Sequence, residues 1–88
     1  DMTDESQELL DVIQRILERQ SPLDLIDIYQ GVRQVEHLDL SRFTSEAGLE
    51  ARVRKLIYLH ASECELYRGE QDLFYSETGK GTGRWGLR

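Results

Sequence analysis

The sequence predicts a small α+β domain, mainly helical, in which three helices are followed by a β-hairpin. Three observations carry this reading. Apolar residues recur at helical spacing in three separate stretches, a Ser-Pro-Leu-Asp pattern stands where a second helix should open, and three glycines fall at Gly79, Gly81 and Gly83 beside β-favouring runs. With 88 residues, no internal repeat and no low-complexity run, the chain is expected to form one domain over 1–88 around one core, and a core of this size leaves function to the surface.

Leu9, Leu10, Val12, Ile13, Ile16 and Leu17 form the first stripe, which predicts a helix over about 5–19. Thr3 or Ser6 caps it, Asp4, Glu5 and Glu8 suit the positive end of its dipole, and residues 1–4 are expected as a disordered tail. In Ser21-Pro22-Leu23-Asp24 a serine can accept from orphan amides, proline suits the first helical position, and an acid sits three residues after the cap. A second helix over about 22–34 follows, with Leu25, Ile28, Tyr29 and Val32 as its stripe and Gly31 as a point of low propensity. Between about 35 and 45 the periodicity fails, yet Leu38, Leu40 and Phe43 are too apolar for a free linker, which predicts an ordered connection packed over the core.

Leu49, Val53, Leu56 and Ile57, extended by His60, make the third stripe and predict a helix over about 46–60 capped by Thr44 or Ser45. Glu50, Arg52, Arg54 and Lys55 lie around the rest of that cylinder. Beyond Ala61 the pattern shortens. Cys64, Leu66 and Tyr67 lead through Gly69 to Leu73-Phe74-Tyr75, and Arg84-Trp85-Gly86-Leu87-Arg88 follows the glycines, so the chain should end in a hairpin with Lys80 at its tip. Leu73 and Tyr75, with Trp85 and Leu87, are expected to cover the open end of the helical core, and the aromatic residues Tyr58, Tyr67, Phe74, Tyr75 and Trp85 read as core and hairpin cover.

The net charge of −6 hides a polarity along the chain. Residues 1–50 hold 12 acidic and 4 basic side chains, a balance of −8, whereas residues 51–88 hold 5 acidic and 7 basic, a balance of +2. Such asymmetry points to a polyanionic partner on one side only. No apolar run approaches the ~18 residues that span a bilayer, so no membrane association is expected. The opening DMTDES has neither a basic start nor an apolar segment, and the lone Cys64 has no internal disulfide partner; both predict an intracellular location, cytoplasm or nucleoid in a prokaryote and nucleus in a eukaryote. His60, Glu63 and Cys64 stand close in sequence, but a structural zinc usually takes four ligands with paired cysteines. Gly79-Lys80-Gly81-Thr82-Gly83 lacks the spacing of a nucleotide-cradling loop and is followed by a strand pattern. No catalytic residue, no metal and no cofactor are therefore expected.

Three helices with a connection between the second and third, then a glycine-tipped hairpin, is the order of a winged helix-turn-helix. Over about 9–88 the chain resembles the HARE-HTH family, winged helices found beside restriction endonucleases and chromatin proteins. The resemblance is carried by Ser21-Pro22-Leu23-Asp24-Leu25-Ile26, by Leu59-His60 closing the third helix, and by Asp72-Leu73-Phe74-Tyr75 with Gly83-Arg84-Trp85-Gly86-Leu87-Arg88. The layout is also similar to the C-terminal winged helix of methyl-adenine-dependent restriction endonucleases. The resemblance implies a noncatalytic module that binds double-stranded DNA, methylated or unmethylated, for a larger nuclease or chromatin-associated protein. It implies that the third helix enters the major groove while the wing touches backbone or minor groove.

On that reading Arg52, Arg54 and Lys55 contact phosphates and base edges, and Thr44 and Ser45 stand at the helix end that meets the bases. Lys80, Thr82 and Arg84 form the wing's contact with the phosphate backbone. Glu46 and Glu50, near the same helix start, would repel phosphate unless one accepts from a cytosine amino group. The alternative is a protein-interaction winged helix whose acidic first and second helices meet a basic surface, on another protein or on other domains of the parent chain.

Overall fold

In the computed structural model, residues 2–36, 38, 40, 41, 43–77 and 83–88 are described, without the side chains of 2–5. Helix α1 spans Met2–Arg19 and so takes in residues 2–4, ahead of the start expected near residue 5. Its apolar stripe turns inward as the spacing requires, with Leu9, Leu10, Val12, Ile13 and Leu17 all buried.

The second helix departs from its sequence signal. Leu23–Asp24 form a short strand, β1, and helix α2 runs only over Leu25–Arg33. Ser21 is therefore not its cap and Pro22 not its first residue; Asp24 stands at the N-cap position in extended backbone and makes no side-chain capping bond. The cause is tertiary, since Leu23 pairs with Trp85 and Asp24 with Arg84 across an antiparallel ladder. Local propensity for a helix start yields to strand pairing. Gly31, poor for helix propensity, has a packing reason: a Cβ there would lie 3.0 Å from Ile16 Cδ1 of α1, so glycine lets the two helices approach.

Helix α3 spans Glu46–Leu59, close to its expected bounds, and Ser45 is its cap, its Oγ accepting from the Gly48 N–H at 3.1 Å. Leu49, Val53, Leu56 and Ile57 enter the core. The preceding connection packs as expected, with Val35, Leu38, Leu40 and Phe43 laid against the core.

After α3 two turns follow, closed by Cys64 N–H on Ala61 O (3.0 Å) and Tyr67 N–H on Cys64 O (3.2 Å). The chain then returns to His60, whose carbonyl accepts from Leu73 N–H at 2.8 Å and Phe74 N–H at 3.1 Å. Strands β2 (Phe74–Ser76) and β3 (Arg84–Leu87) pair antiparallel, the expected hairpin partners. With β1 they make a three-stranded antiparallel sheet in the order β1-β3-β2, one strand more than the sequence reading contained. Residues 78–82, which hold the expected glycine tip, lie outside the described residues.

The facing of β2 also differs from expectation. Phe74 and Trp85, both fully buried, close the core, whereas Leu73 and Tyr75 are only partly covered. Register explains this: Ser76 lies opposite Trp85 and Phe74 opposite Leu87, so these four share one face, while Tyr75 and Gly86 share the other. There the Tyr75 ring lies over Gly86, where a Cβ would come within 2.6 Å of it. Trp85 stacks obliquely on Tyr58 of α3, ring centroids 5.7 Å apart, joining sheet to helix. The result is a small α+β domain, three helices with a three-stranded antiparallel sheet over the open end of their core. Among the described residues no helix is long and apolar enough to cross a membrane.

Candidate nucleic-acid interface

Burial of Leu49, Val53, Leu56 and Ile57 sets the rotation of α3, because four inward positions leave the other side of the helix to solvent. The exposed surface then consists of Glu46, Ala47, Gly48, Ala51 and Lys55, four of them short or capable of extending away, so a partner can come close to this backbone. Thr44 and Ser45 are exposed at its N-terminus, although the Ser45 hydroxyl is already occupied as the cap.

The flanks of α3 carry charge, and the two flanks differ. Toward α2, Arg33 Nη2 donates to Glu50 Oε2 and Arg33 Nε stands 3.9 Å from Glu46 Oε1. These are the carboxylates that the sequence sets against a phosphate; Arg33 pairs closely with Glu50 and only loosely with the largely exposed Glu46, so the three groups together keep one negative charge. On the same flank Arg54 Nη1 donates to the Tyr29 hydroxyl at 3.2 Å, a bond that holds the guanidinium's pKa above its ordinary value. Tyr58, nearby, has its phenol pushed up by burial despite the opposing charge of Arg54.

Toward α1, Arg52 Nη1 reaches the Ser6 hydroxyl at 3.5 Å. Here α3 and the amino-terminal half of α1 bound a groove of about 350 Å³ lined by Ser6, Gln7, Arg52, Lys55, His60 and Arg68, over an apolar floor that includes Leu10 and Leu56. Arg68 was not singled out by sequence because its stretch has no periodicity. The turns after Ala61 bring it back beside α3, and Gly69, at φ +84, follows it with a backbone conformation that glycine adopts without a Cβ clash.

Of the expected wing residues, Lys80 and Thr82 lie outside the described residues. Arg84 is described and is occupied within the domain. Its Nη2 donates to the Pro22 carbonyl at 2.7 Å, and its Nε lies 3.8 Å from Asp24 and 3.7 Å from Glu77. Its place in the fold is a clasp across the three strands. Arg88 is likewise engaged, donating to Asp72 Oδ1, Phe74 O and Glu63 Oε1 at 2.9 Å each and to Ser62 Oγ at 3.2 Å. Burial would raise Glu63, but the amides of Ser76 and of Glu63 itself, with Arg88, bring its pKa below the ordinary value. Asp72 is lowered in the same way, slight desolvation being outweighed by Ser62 and Arg88.

The His60 Nδ1 meets the Gln71 carbonyl at 3.1 Å, and burial, reinforced by Glu63, pushes the Cys64 thiol up, away from the thiolate. Among the described residues no group of three His, Cys, Asp or Glu side chains is placed to hold a metal ion.

The outward side of α3 thus carries mainly small residues, with Arg52 and Lys55 toward α1 and Arg54 beside the Arg33, Glu46 and Glu50 cluster toward α2. In comparisons with protein-family models, with curated proteins and with solved structures, nothing matches the chain.

Proposed function

We propose that this chain is a winged helix-turn-helix module that binds double-stranded DNA through α3, as the noncatalytic targeting part of a larger restriction-type nuclease or chromatin-associated protein. The element order α1-β1-α2-α3-β2-β3 with sheet order β1-β3-β2 supports the layout, and so does the sequence resemblance to HARE-HTH domains. The observation that carries the function is the state of α3. Its exposed side is mostly small, with Ala47, Gly48 and Ala51 between Glu46 and Lys55, and Glu50 is held by Arg33. A net charge of −6 then need not oppose binding, because the local field at the contact surface, screened beyond roughly 8 Å at physiological salt, decides it.

In this reading Arg52 and Lys55 bind the strand, Arg54 with its Tyr29 partner borders the α2 side, and Lys80 contributes a further backbone contact. Arg84 is left out because Asp24 and Glu77 already compensate it. The test is a titration of labelled duplexes, adenine-methylated and unmethylated, at two salt concentrations. Affinity should fall with salt at a slope of about −0.9 per neutralised phosphate, and Arg52→Ala should change sequence preference if that arginine reads a base. A flat salt response overturns the proposal.

The rival reading, a protein-interaction module, draws on a different surface. Glu18 and Asp27 are exposed beside grooves floored by Ile16 and Val35 between α1 and α2, which Arg15 and Arg19 also line. Chemical shifts confined to residues 8–27 on addition of a partner, with none on addition of duplex, would favour it.

A further inference from the structure

We infer that the groove between the amino-terminal half of α1 and the carboxy-terminal half of α3 is a phosphate site, filled by a backbone phosphodiester of the duplex beside the one α3 enters. The inference rests on the DNA reading and adds to it a residue, Arg68, and a surface, the α1 flank.

Three separate segments converge there. Ser6 and Gln7 come from α1, Arg52 and Lys55 from α3, and His60 and Arg68 from the end of α3 and the turns after it. The lining holds two guanidiniums, one ammonium and an imidazole, and no carboxylate. On a chain with 17 acidic and 11 basic side chains, cations gathered without an acid among them are not the average outcome of composition. The same chain compensates Arg33, Arg84 and Arg88 with carboxylates.

The donors also differ in kind, and the difference suits a phosphate. Arg52 and Arg68 offer planar forks to non-ester oxygens, Lys55 a compact charge, and Ser6 a hydroxyl that already meets Arg52. His60 donates its Nδ1–H to the Gln71 carbonyl, which makes Nε2 of the neutral ring an acceptor. The phosphate donors are therefore Arg52, Arg68, Lys55 and Ser6, and His60 only borders them. About 350 Å³ is ample for one phosphate with its bridging waters, and the apolar floor of Leu10 and Leu56 lowers the local dielectric, strengthening each charge contact. Beside the lining, Asp11 accepts from the Gln7 side-chain amide at 3.0 Å and is exposed. A carboxylate there tempers the field without entering the groove.

A free phosphate offers the same chemistry as a backbone phosphodiester, so the experiment separates the two sources. The chain, Arg68→Ala, Arg68→Lys and Lys55→Ala are each titrated with a duplex at several salt concentrations, and the isotope-labelled chain is titrated separately with inorganic phosphate. The inference expects Arg68→Ala and Lys55→Ala each to weaken all duplexes alike and to lower the magnitude of the salt slope by about 0.9, with Arg68→Lys restoring most of it. Since both side chains are exposed, unchanged melting temperatures verify that the variants fold. Should the chain bind duplex with an unaltered slope in both alanine variants, the groove assignment is wrong and the DNA reading stands. If no duplex binds, the DNA reading fails. The phosphate titration then decides: saturable shifts at residues 52, 55, 60 and 68 keep the groove as a site for free phosphate, and their absence removes it.

Discussion

Arg84 and Arg88 at the sheet and Arg52, Lys55 and Arg68 beside α3 carry the same formal charges into very different surroundings. At the sheet, each guanidinium meets at least one backbone carbonyl and two carboxylates: Asp24 and Glu77 around Arg84, Glu63 and Asp72 around Arg88. In the groove, the same kind of side chain lines a space with no carboxylate in it. The first arrangement holds strands together and projects little field; the second holds little together and leaves its field for a ligand. Linear charge therefore does not tell which cations stay uncompensated. The last ten residues contain Lys80, Arg84 and Arg88 with no acid, yet folding brings acids from residues 24, 63, 72 and 77 to two of those three.

The strongest way to break the comparison is to remove what seats the sheet. Trp85 is fully buried, pairs with Leu23 and Ser76, and stacks on Tyr58. Trp85→Ala should cost about 3–5 kcal/mol, the usual penalty for emptying a large aromatic site. A domain of this class has about 5–15 kcal/mol in total, so the variant should unfold at a much lower urea concentration. A loss under about 1 kcal/mol would mean that the sheet does not close the core.

Acid should act next, through the Glu63 and Asp72 carboxylates at the sheet. Glu63 and Asp72 have folded-state pKa values below their ordinary ones, so the stability they confer is fully present above the usual carboxylate range of about 4 to 4.5 and is lost as pH falls through the folded values. The melting temperature should hold between about pH 7 and 5 and decline below about pH 4. Arg88→Ala should lower the plateau and flatten that decline, because the pair would then titrate nearer their unfolded values. Superimposable acid profiles for the variant and the parent chain would show that the Arg88 cluster is not what couples them.

What sequence could and could not disclose follows the range of the forces. Helix α3 was legible because its cap, Ser45, and its stripe of Leu49, Val53, Leu56 and Ile57 are local facts a few residues apart. Strand β1 was not, because its two residues are strand only by pairing with Arg84 and Trp85, some 60 positions away, and that pairing overrode a good helix-start pattern at Ser21-Pro22. The facing of β2 was misread for a related reason. Alternation specifies that Phe74 opposes Tyr75, but which of them turns inward is decided by the register of β3. At the site, Arg52 and Lys55 were visible as the polar side of a helix; Arg68 was not, since two irregular turns and Gly69 determine where it lands.

Arg84 offers a smaller and sharper test. Because Asp24 and Glu77 already balance it, Arg84→Ala should leave the salt slope of duplex binding within about 0.2 of the parent chain, against the loss of about 0.9 expected for Arg68→Ala. Stability should change modestly, as for other half-exposed ion pairs. A slope reduced as much as in Arg68→Ala would return Arg84 to the contact surface and erase the distinction between quenched and open cations.

The smallest effect concerns two exposed acids at different distances from the groove. Asp11 accepts from Gln7, a lining residue, whereas Asp27 borders the opposite groove with Ile16 and Gly31. Both are exposed, so reversing either should leave the fold intact. With fields screened beyond roughly 8 Å at physiological salt, only the nearer reversal should be felt strongly by a phosphate in the α1 and α3 groove. Asp11→Lys should therefore raise nonspecific duplex affinity about twofold at physiological salt, and Asp27→Lys by less. Lowering the salt to about 0.01 M, where screening extends to roughly 30 Å, should narrow the gap between the two variants as Asp27→Lys gains. Neither should alter base preference, because neither side chain lies on α3. An equal or larger gain from Asp27→Lys at physiological salt would place the duplex on the α1 and α2 side of the molecule, against the surface that α3 and Arg68 define.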